Sequence, residues 1–327
     1  MDISTFSLAL QGIGHIKNSI PCQDKVLIIN ENDVNCLVLA DGAGSASHSH
    51  YGAAAVCETT GNLLCEKFDS FYSDDDVDKI KNKIFTELQN SLGHLSEVHR
   101  CKISDLASTL IFVAVKGESF IAGHLGDGVI AYCRDQKIRA AKRPDNGEFA
   151  NSTSFVTSLN ASKRLHLFKG ELNGITGFAL MSDGTAESFY KRSSGDISSI
   201  VKLLICSVHL KHENFLQKEI GDFFEHAVLK RTHDDCSIAI ISLFNDDKEV
   251  FTSMSRQELE GLFSVNLCNK KSSKIIDEYI NILMFSHISN SKKRIATALS
   301  IKTEKVRRLI KKLQKSGFKN TLKKFSK

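Results

Sequence analysis

Short apolar runs separated by Gly/Asp turns dominate the first three quarters of the chain. Lys25 to Asn30, Asn35 to Ala40, Thr109 to Val115, Phe120 to Leu125, Gly128 to Arg134, Gly177 to Met181 and Cys236 to Leu243 read as strands, several of them rich in β-branched residues. Two longer segments have helical spacing. His50 to Phe68 follows a Ser/His-rich turn and carries small apolar residues at helical intervals. Val77 to Arg100 places Ile80, Ile84, Leu88, Leu92 and Leu95 on one face. Strand runs with helices inserted between them fit a layered α+β domain better than an alternating βαβ fold.

The pattern changes after Asn245-Asp246-Asp247, where strands give way to helical periodicity, and we place a domain boundary near residue 248, giving domains 1–247 and 248–327. Ile275 to Phe285 is an amphipathic helix, and Ser291 to Leu299 reads as a second. After the turn Ser300-Ile301-Lys302 comes a third, with Thr303 as its expected cap, Val306, Leu309, Ile310 and Leu313 on one face, and Gly317 at its end. Two short helices, a tight turn and a basic second helix resemble a helix-turn-helix or winged-helix module.

Charge sharpens that division. The whole chain of 327 residues is only +5, but from residue 291 onward fourteen lysines and arginines face one acid, Glu304. Such a basic face can bind nucleic-acid phosphates, dock an acidic protein partner, or simply be solvated. The nine cysteines are scattered singly without a CxxC pair, which argues against a disulfide framework or a zinc site. No apolar run approaches the roughly 20 residues needed to span a bilayer, and the first residues do not read as a secretion signal, so no membrane association and a cytoplasmic location are expected.

The chemistry lies in five aspartates placed where a strand meets a turn: Asp24, Asp41, Asp127, Asp183 and Asp234. Any one Asp-Gly is good turn chemistry, because Gly accepts positive φ and Asp bonds its own backbone. As a set, aspartates at the ends of several strands can converge on one sheet edge. Such carboxylates repel one another unless cations neutralise them. Hard oxygen ligands select Mg²⁺ or Mn²⁺, and two such ions about 3.5–4 Å apart would activate a water for in-line attack on a phosphoryl group.

Gln23-Asp24, Ala40-Asp41-Gly42-Ala43-Gly44, Ala107-Ser108-Thr109, Gly126-Asp127-Gly128, Ser182-Asp183-Gly184 and Asp234-Asp235-Cys236-Ser237 occur in an order and spacing that resemble the metal-dependent type 2C (PPM) protein phosphatases. Gly12-Ile13-Gly14-His15 before Pro21-Cys22, Gly147 to Asn151, and Thr153 to Ser158 resemble the bacterial branch. The resemblance covers about the first 244 residues. It implies a four-layer αββα sandwich that hydrolyses phosphoserine and phosphothreonine, with a phosphorylated protein as substrate and a serine/threonine kinase as functional counterpart. By position, Asp41 would bridge two Mn²⁺ or Mg²⁺ ions, and the Gly42 carbonyl would bind one of them. Asp183 and Asp234 would complete the ligand set of the first ion, Asp24 would serve the second directly or through a water, and Asp127 would bind a third, weaker ion.

Asp235 falls where many relatives have Asn, so ligation is assigned to Asp234, and the chain departs from that family's pattern at three further places. Gln23 stands where many relatives have Glu, Ala43 where a histidine often follows Asp-Gly, and Ser19 where an arginine usually binds phosphate. His15 is the best local replacement, either donating to a phosphate oxygen or protonating the leaving alkoxide, although a lone histidine is also an ordinary structural residue. Ser45 to His50 reads as a helix entry with Ser49 as N-cap, or as a loop bringing His48 or His50 to the phosphate. Gln23 and Ala43 also keep open a second reading: a weakly catalytic, phosphate-sensing regulator acting through its C-terminal helices.

Overall fold

The computed structural model describes residues 1–141, 153–263, 270–288 and 291–319. Gly147 to Asn151 therefore lies outside the described residues. In chain order, β1 (Ser4–Leu10) and the short helix α1 (Ile13–Lys17) precede β2 (Lys25–Glu31) and β3 (Val34–Ala40), followed by α2 (Ser49–Ser73) and α3 (Val77–His99). Then come β4 (Leu110–Lys116), β5 (Ser119–Leu125), β6 (Val129–Arg134), β7 (Lys137–Ala140), α4 (Ala161–Arg164), β8 (His166–Glu171) and β9 (Ile175–Met181). Next are α5 (Asp183–Phe189), the small hairpin β10 (Tyr190–Lys191) and β11 (Asp196–Ile197), α6 (Ser199–Leu210), α7 (Glu213–Phe223) and β12 (Cys236–Ser242). The chain continues through α8 (Asp247–Ser253), α9 (Arg256–Phe263), α10 (Lys270–Ile288), α11 (Lys292–Ala298) and α12 (Thr303–Lys315).

The strands form two five-stranded sheets, β1-β12-β9-β6-β7 and β2-β3-β4-β5-β8, antiparallel throughout. Three apolar layers hold them. Leu37, Leu39, Ile111 and Val113 from one sheet meet Phe178, Leu180 and Ile241 from the other. Outside the second sheet, α2 and α3 bury Val56, Leu64, Ile84 and Leu88 against Val38 and Phe112. Outside the first sheet, α6 buries Val201, Ile205 and Val208 against Phe6, Met181 and Ile240. The order is helix, sheet, sheet, helix. Burial rather than capping fixes the outer layer. The Asp76 cap on Lys79 N of α3 (3.0 Å) is worth about 1 kcal/mol, whereas each of the buried Ile80, Ile84, Leu88 and Leu92 contributes roughly 1.5–3 kcal/mol.

Of the strands not anticipated, β1, β7 and β8 lie at the edges of the two large sheets, where one flank is unpaired and polar residues are tolerated, and β10 and β11 form a separate hairpin of two-residue strands. Helix α2 runs on to Ser73 because Phe71 continues its buried face. Two expected caps are corrected. His48, not Ser49, precedes α2, and the buried Ser49 hydroxyl instead accepts from Gln23 Nε2 at 2.7 Å. Lys302, not Thr303, precedes α12. Gly317 has φ +80° and donates to the Gln314 carbonyl, as a helix end requires.

The compositional change at 248 falls inside α8, and packing continues across it. Val250, Phe251, Leu262, Ile276, Val306, Leu309 and Phe318 belong to the same apolar cluster as α6. Lys202 on α6, almost fully buried, reaches the Ser253 carbonyl (2.7 Å) and Glu258 (2.9 Å). His209 lies 3.3 Å from the equally buried Asp247. Among the described residues no helix is long and apolar enough to cross a membrane.

Candidate metal and phosphate site

Antiparallel pairing sends every singled-out aspartate to one end of the sandwich. Lys25 pairs with Ala40, Leu110 with Leu125, and Met181 with both Val129 and Ile238. Hence Asp24 sits immediately before β2, Asp41 after β3, Asp127 between β5 and β6, Asp183 at the start of α5 after β9, and Asp234 before β12. The loops beneath them are pinned by backbone. Asp41 N donates to Thr109 Oγ1 (2.9 Å), Thr109 N to the Asp41 carbonyl (2.8 Å), and Gly42 N to the Gln23 carbonyl (3.2 Å). Gly126, between β5 and Asp127, has φ +112°, which only glycine adopts without strain.

Oxygens of Asp41, Asp127 and Asp183 lie within 4.8 Å of one another. Asp127 also accepts from Thr153 Oγ1 at 2.6 Å, and Asp183 from Gly184 N at 2.6 Å. Asp24 is fully buried behind them, and its Oδ2 has no hydrogen-bond partner among the described residues. Asp234 joins a second group with His15 and Asp235. Gly42 is buried beside Ser49 and the Gln23 carbonyl.

The crowding shows in the acidities. Burial, opposed by the Ser237 and Ser182 hydroxyls and reinforced by Asp235 and Asp183, pushes Asp24 up to about 7. Burial, then Asp127 and Asp234, raises Asp183 to about 6. Asp41 is driven well above the carboxylate range by burial and by Asp24, Asp183, Asp234 and Asp127. A carboxylate whose folded pKa exceeds its unfolded value binds more protons folded than unfolded, so its contribution to stability is lost as pH rises between the two values. The metal-free chain is therefore expected to lose melting temperature from about pH 4 to 7, and added Mn²⁺ to restore more of it at pH 7.5 than at pH 5.5. Differential scanning fluorimetry with and without chelator measures this. A Mn²⁺ shift independent of pH would contradict it.

Two contributions were not visible in the sequence. The first is Asp235, which is fully buried and accepts from Gly12 N (2.7 Å) and Gln23 N (2.6 Å), with His15 Nδ1 2.9 Å from the same carboxylate. It ties the chain entering α1 and the loop carrying Asp24 to the start of β12. The contact is tight enough that a Cβ on Gly12 would lie 2.3 Å from the Asp234 carbonyl carbon. Asp234, half exposed, faces His15 Nε2 at 3.7 Å. The second is Arg231, which with His15, Glu187, His233 and Asp234 lines an open cleft of about 470 Å³. Only its sequence proximity to Asp234 could have signalled it.

The departures noted in the sequence have structural counterparts. The Gln23 amide is engaged by Ser49. Ala43 packs with Ala46, Ala107 and Phe155 in a small apolar cluster. The His48 ring sits beside Tyr51 and His99, and His50 beside Tyr51, in a stack bridging α2 and α3.

A family model for protein phosphatase 2C matches residues 11–225, and the chain belongs to that family. Serine/threonine-protein phosphatase 3 of Escherichia coli (strain K12) is 26% identical over 169 residues, a match covering 48% of this chain and 64% of that relative. A crystal structure of a bacterial serine phosphatase superposes with TM-score 0.55 at 14% identity, covering 75% of this chain and 99% of the other. The serine/threonine phosphatase of S. agalactiae does so with TM-score 0.53 at 15% identity, covering 74% and 100%. These superpositions show the shared fold. Asp234, expected from its sequence motif, and Asp235 lie past the range matched by the family model, and the structure brings both beside His15.

Proposed function

We propose that the protein is a cytoplasmic, metal-dependent phosphatase that removes phosphate from phosphoserine and phosphothreonine in proteins, opposing a serine/threonine kinase. The observation that carries this reading is the convergence of Asp41, Asp127 and Asp183, whose oxygens lie within 4.8 Å of one another, with the buried Asp24 close enough to raise the Asp41 pKa. An all-oxygen donor set with a buried, unpartnered Asp24 oxygen fits hard divalent ions, Mn²⁺ or Mg²⁺, and not zinc. Asp41 would serve both ions, Asp183 and Asp234 one, Asp24 the other, and Asp127 a third, with the Gly42 carbonyl as a neutral ligand. Such ions supply a nucleophilic water at neutral pH and neutralise phosphoryl charge.

The chain's own residues do the rest. His15, oriented by Asp235, stands over Asp234 to hold or protonate a phosphate or leaving-group oxygen. Arg231 supplies the guanidinium that Ser19 lacks, at the cleft wall rather than before Asp24. Arg231→Ala is expected to raise KM for phosphothreonine peptides by roughly 10-fold, the loss of one charge-assisted contact, with a smaller change in kcat. An unaltered KM would remove Arg231 from the phosphate site. The class of reaction is tested by phosphate release from phosphothreonine and phosphotyrosine peptides with Mn²⁺. Release from the former that ceases on chelation supports the proposal. Phosphopeptide binding without release favours the regulator reading, for which Gln23 and Ala43 are the specific observations.

A further inference from the structure

Helices α10, α11 and α12 pack around Ile276, Ile282, Ile295, Ala296, Val306 and Leu309. Between α11 and α12 the chain turns at Ser300, whose φ of +52° is left-handed, with Ser300 N bonded to the Thr297 carbonyl and Ile301 N to that of Ala296. The next helix begins three residues later. This is the tight turn that sets the second helix of a helix-turn-helix against the first. We propose that α11 and α12 are a helix-turn-helix that binds duplex DNA through the outer face of α12.

The surface supports that partner over others. Helix α12 turns Val306, Leu309, Ile310 and Leu313 inward and exposes Arg307, Arg308, Lys311, Lys312 and Lys315, while α11 and the turn add the exposed Lys293, Arg294 and Lys302. Arg307, Lys311 and Lys315 recur every four residues and form one stripe, with Arg308 and Lys312 forming the next. The sole acid on α12, Glu304, lies in the first turn against Arg307 (3.1 Å). Thirteen residues make a helix about 20 Å long, enough to cross a major groove about 12 Å wide. Neither α11 nor α12 contains an aromatic residue, so there is no stacking platform for single-stranded nucleic acid. No large apolar side chain is exposed on either helix to anchor a protein partner. A surface on which cations outnumber the single acid this far matches a regular phosphate polymer.

The proposal is independent of the phosphatase reading. Its test is fluorescence anisotropy of the full-length chain with a short labelled duplex of mixed sequence. With about five phosphates neutralised, affinity is expected to fall several hundred-fold between about 50 and 200 mM salt. Arg307→Glu combined with Arg308→Glu should weaken binding more than about tenfold at constant salt by adding phosphate repulsion, leaving hydrolysis of p-nitrophenyl phosphate unchanged. Because Arg307 also meets Glu304, Lys311→Gln with Lys312→Gln serves as a second variant, and both are checked for an unchanged melting temperature. Absence of binding near 50 mM salt, a flat salt dependence, or indifference to both variants would each overturn the proposal. Tighter capture of polyglutamate than of duplex would also overturn it, and would assign the face to an acidic protein.

Discussion

Asp41→Asn is expected to lower Mn²⁺-dependent phosphatase activity by on the order of 10²–10³-fold, the rate equivalent of several kcal/mol of charge stabilisation. The substitution is nearly isosteric, and the backbone of residue 41 is held on both sides by Thr109, so the strand end should not move. What changes is charge. Asp41 is the carboxylate that feels Asp24, Asp183, Asp234 and Asp127 together. Removing its charge relieves that repulsion, so the metal-free variant should melt higher than the parent while its activity collapses. A merely structural role predicts loss of both. Activity above a few per cent of the parent at saturating Mn²⁺ would contradict a shared-ion role for Asp41.

His15→Ala is expected to cost about 10²-fold in kcat with metal affinity little changed, as for the loss of a positioned acid or phosphate donor. The ring is fixed from behind: Asp235 lies 2.9 Å from Nδ1 and is itself immobilised by two backbone N–H groups. Asp235→Asn keeps the shape but replaces one acceptor oxygen by a donor facing an N–H group. It should therefore lower kcat and move the pH-rate profile. A kcat and pH profile unchanged in both variants would return His15 to a structural role.

Much of this arrangement is written locally. Asp41, Asp127, Asp183 and Asp234 each sit beside a central strand, and in β3, β4 and β12 the apolar run is continuous because both faces are covered. Those strands, and the helices with a single apolar stripe, could be read directly. Strands β1, β7 and β8 could not, because at a sheet edge the pattern is diluted by polar residues. Helix α6 is buried nearly all round, which erases its periodicity. The pairing of His15 with Asp235 joins residues 220 positions apart and leaves no local trace. The same is true of Lys202 with Glu258, which fastens the C-terminal helices to α6. A compositional break at 248 is visible in the sequence, but the continuity of the core beneath it is not.

The carboxylate convergence is tested most directly by calorimetric titration of Mn²⁺ into the purified chain at pH 7.5, beside Asp41→Asn. The account predicts at least two ions per chain for the parent and loss of the tight sites in the variant. Failure of the parent to bind Mn²⁺ or Mg²⁺, or identical isotherms for the two proteins, would contradict it.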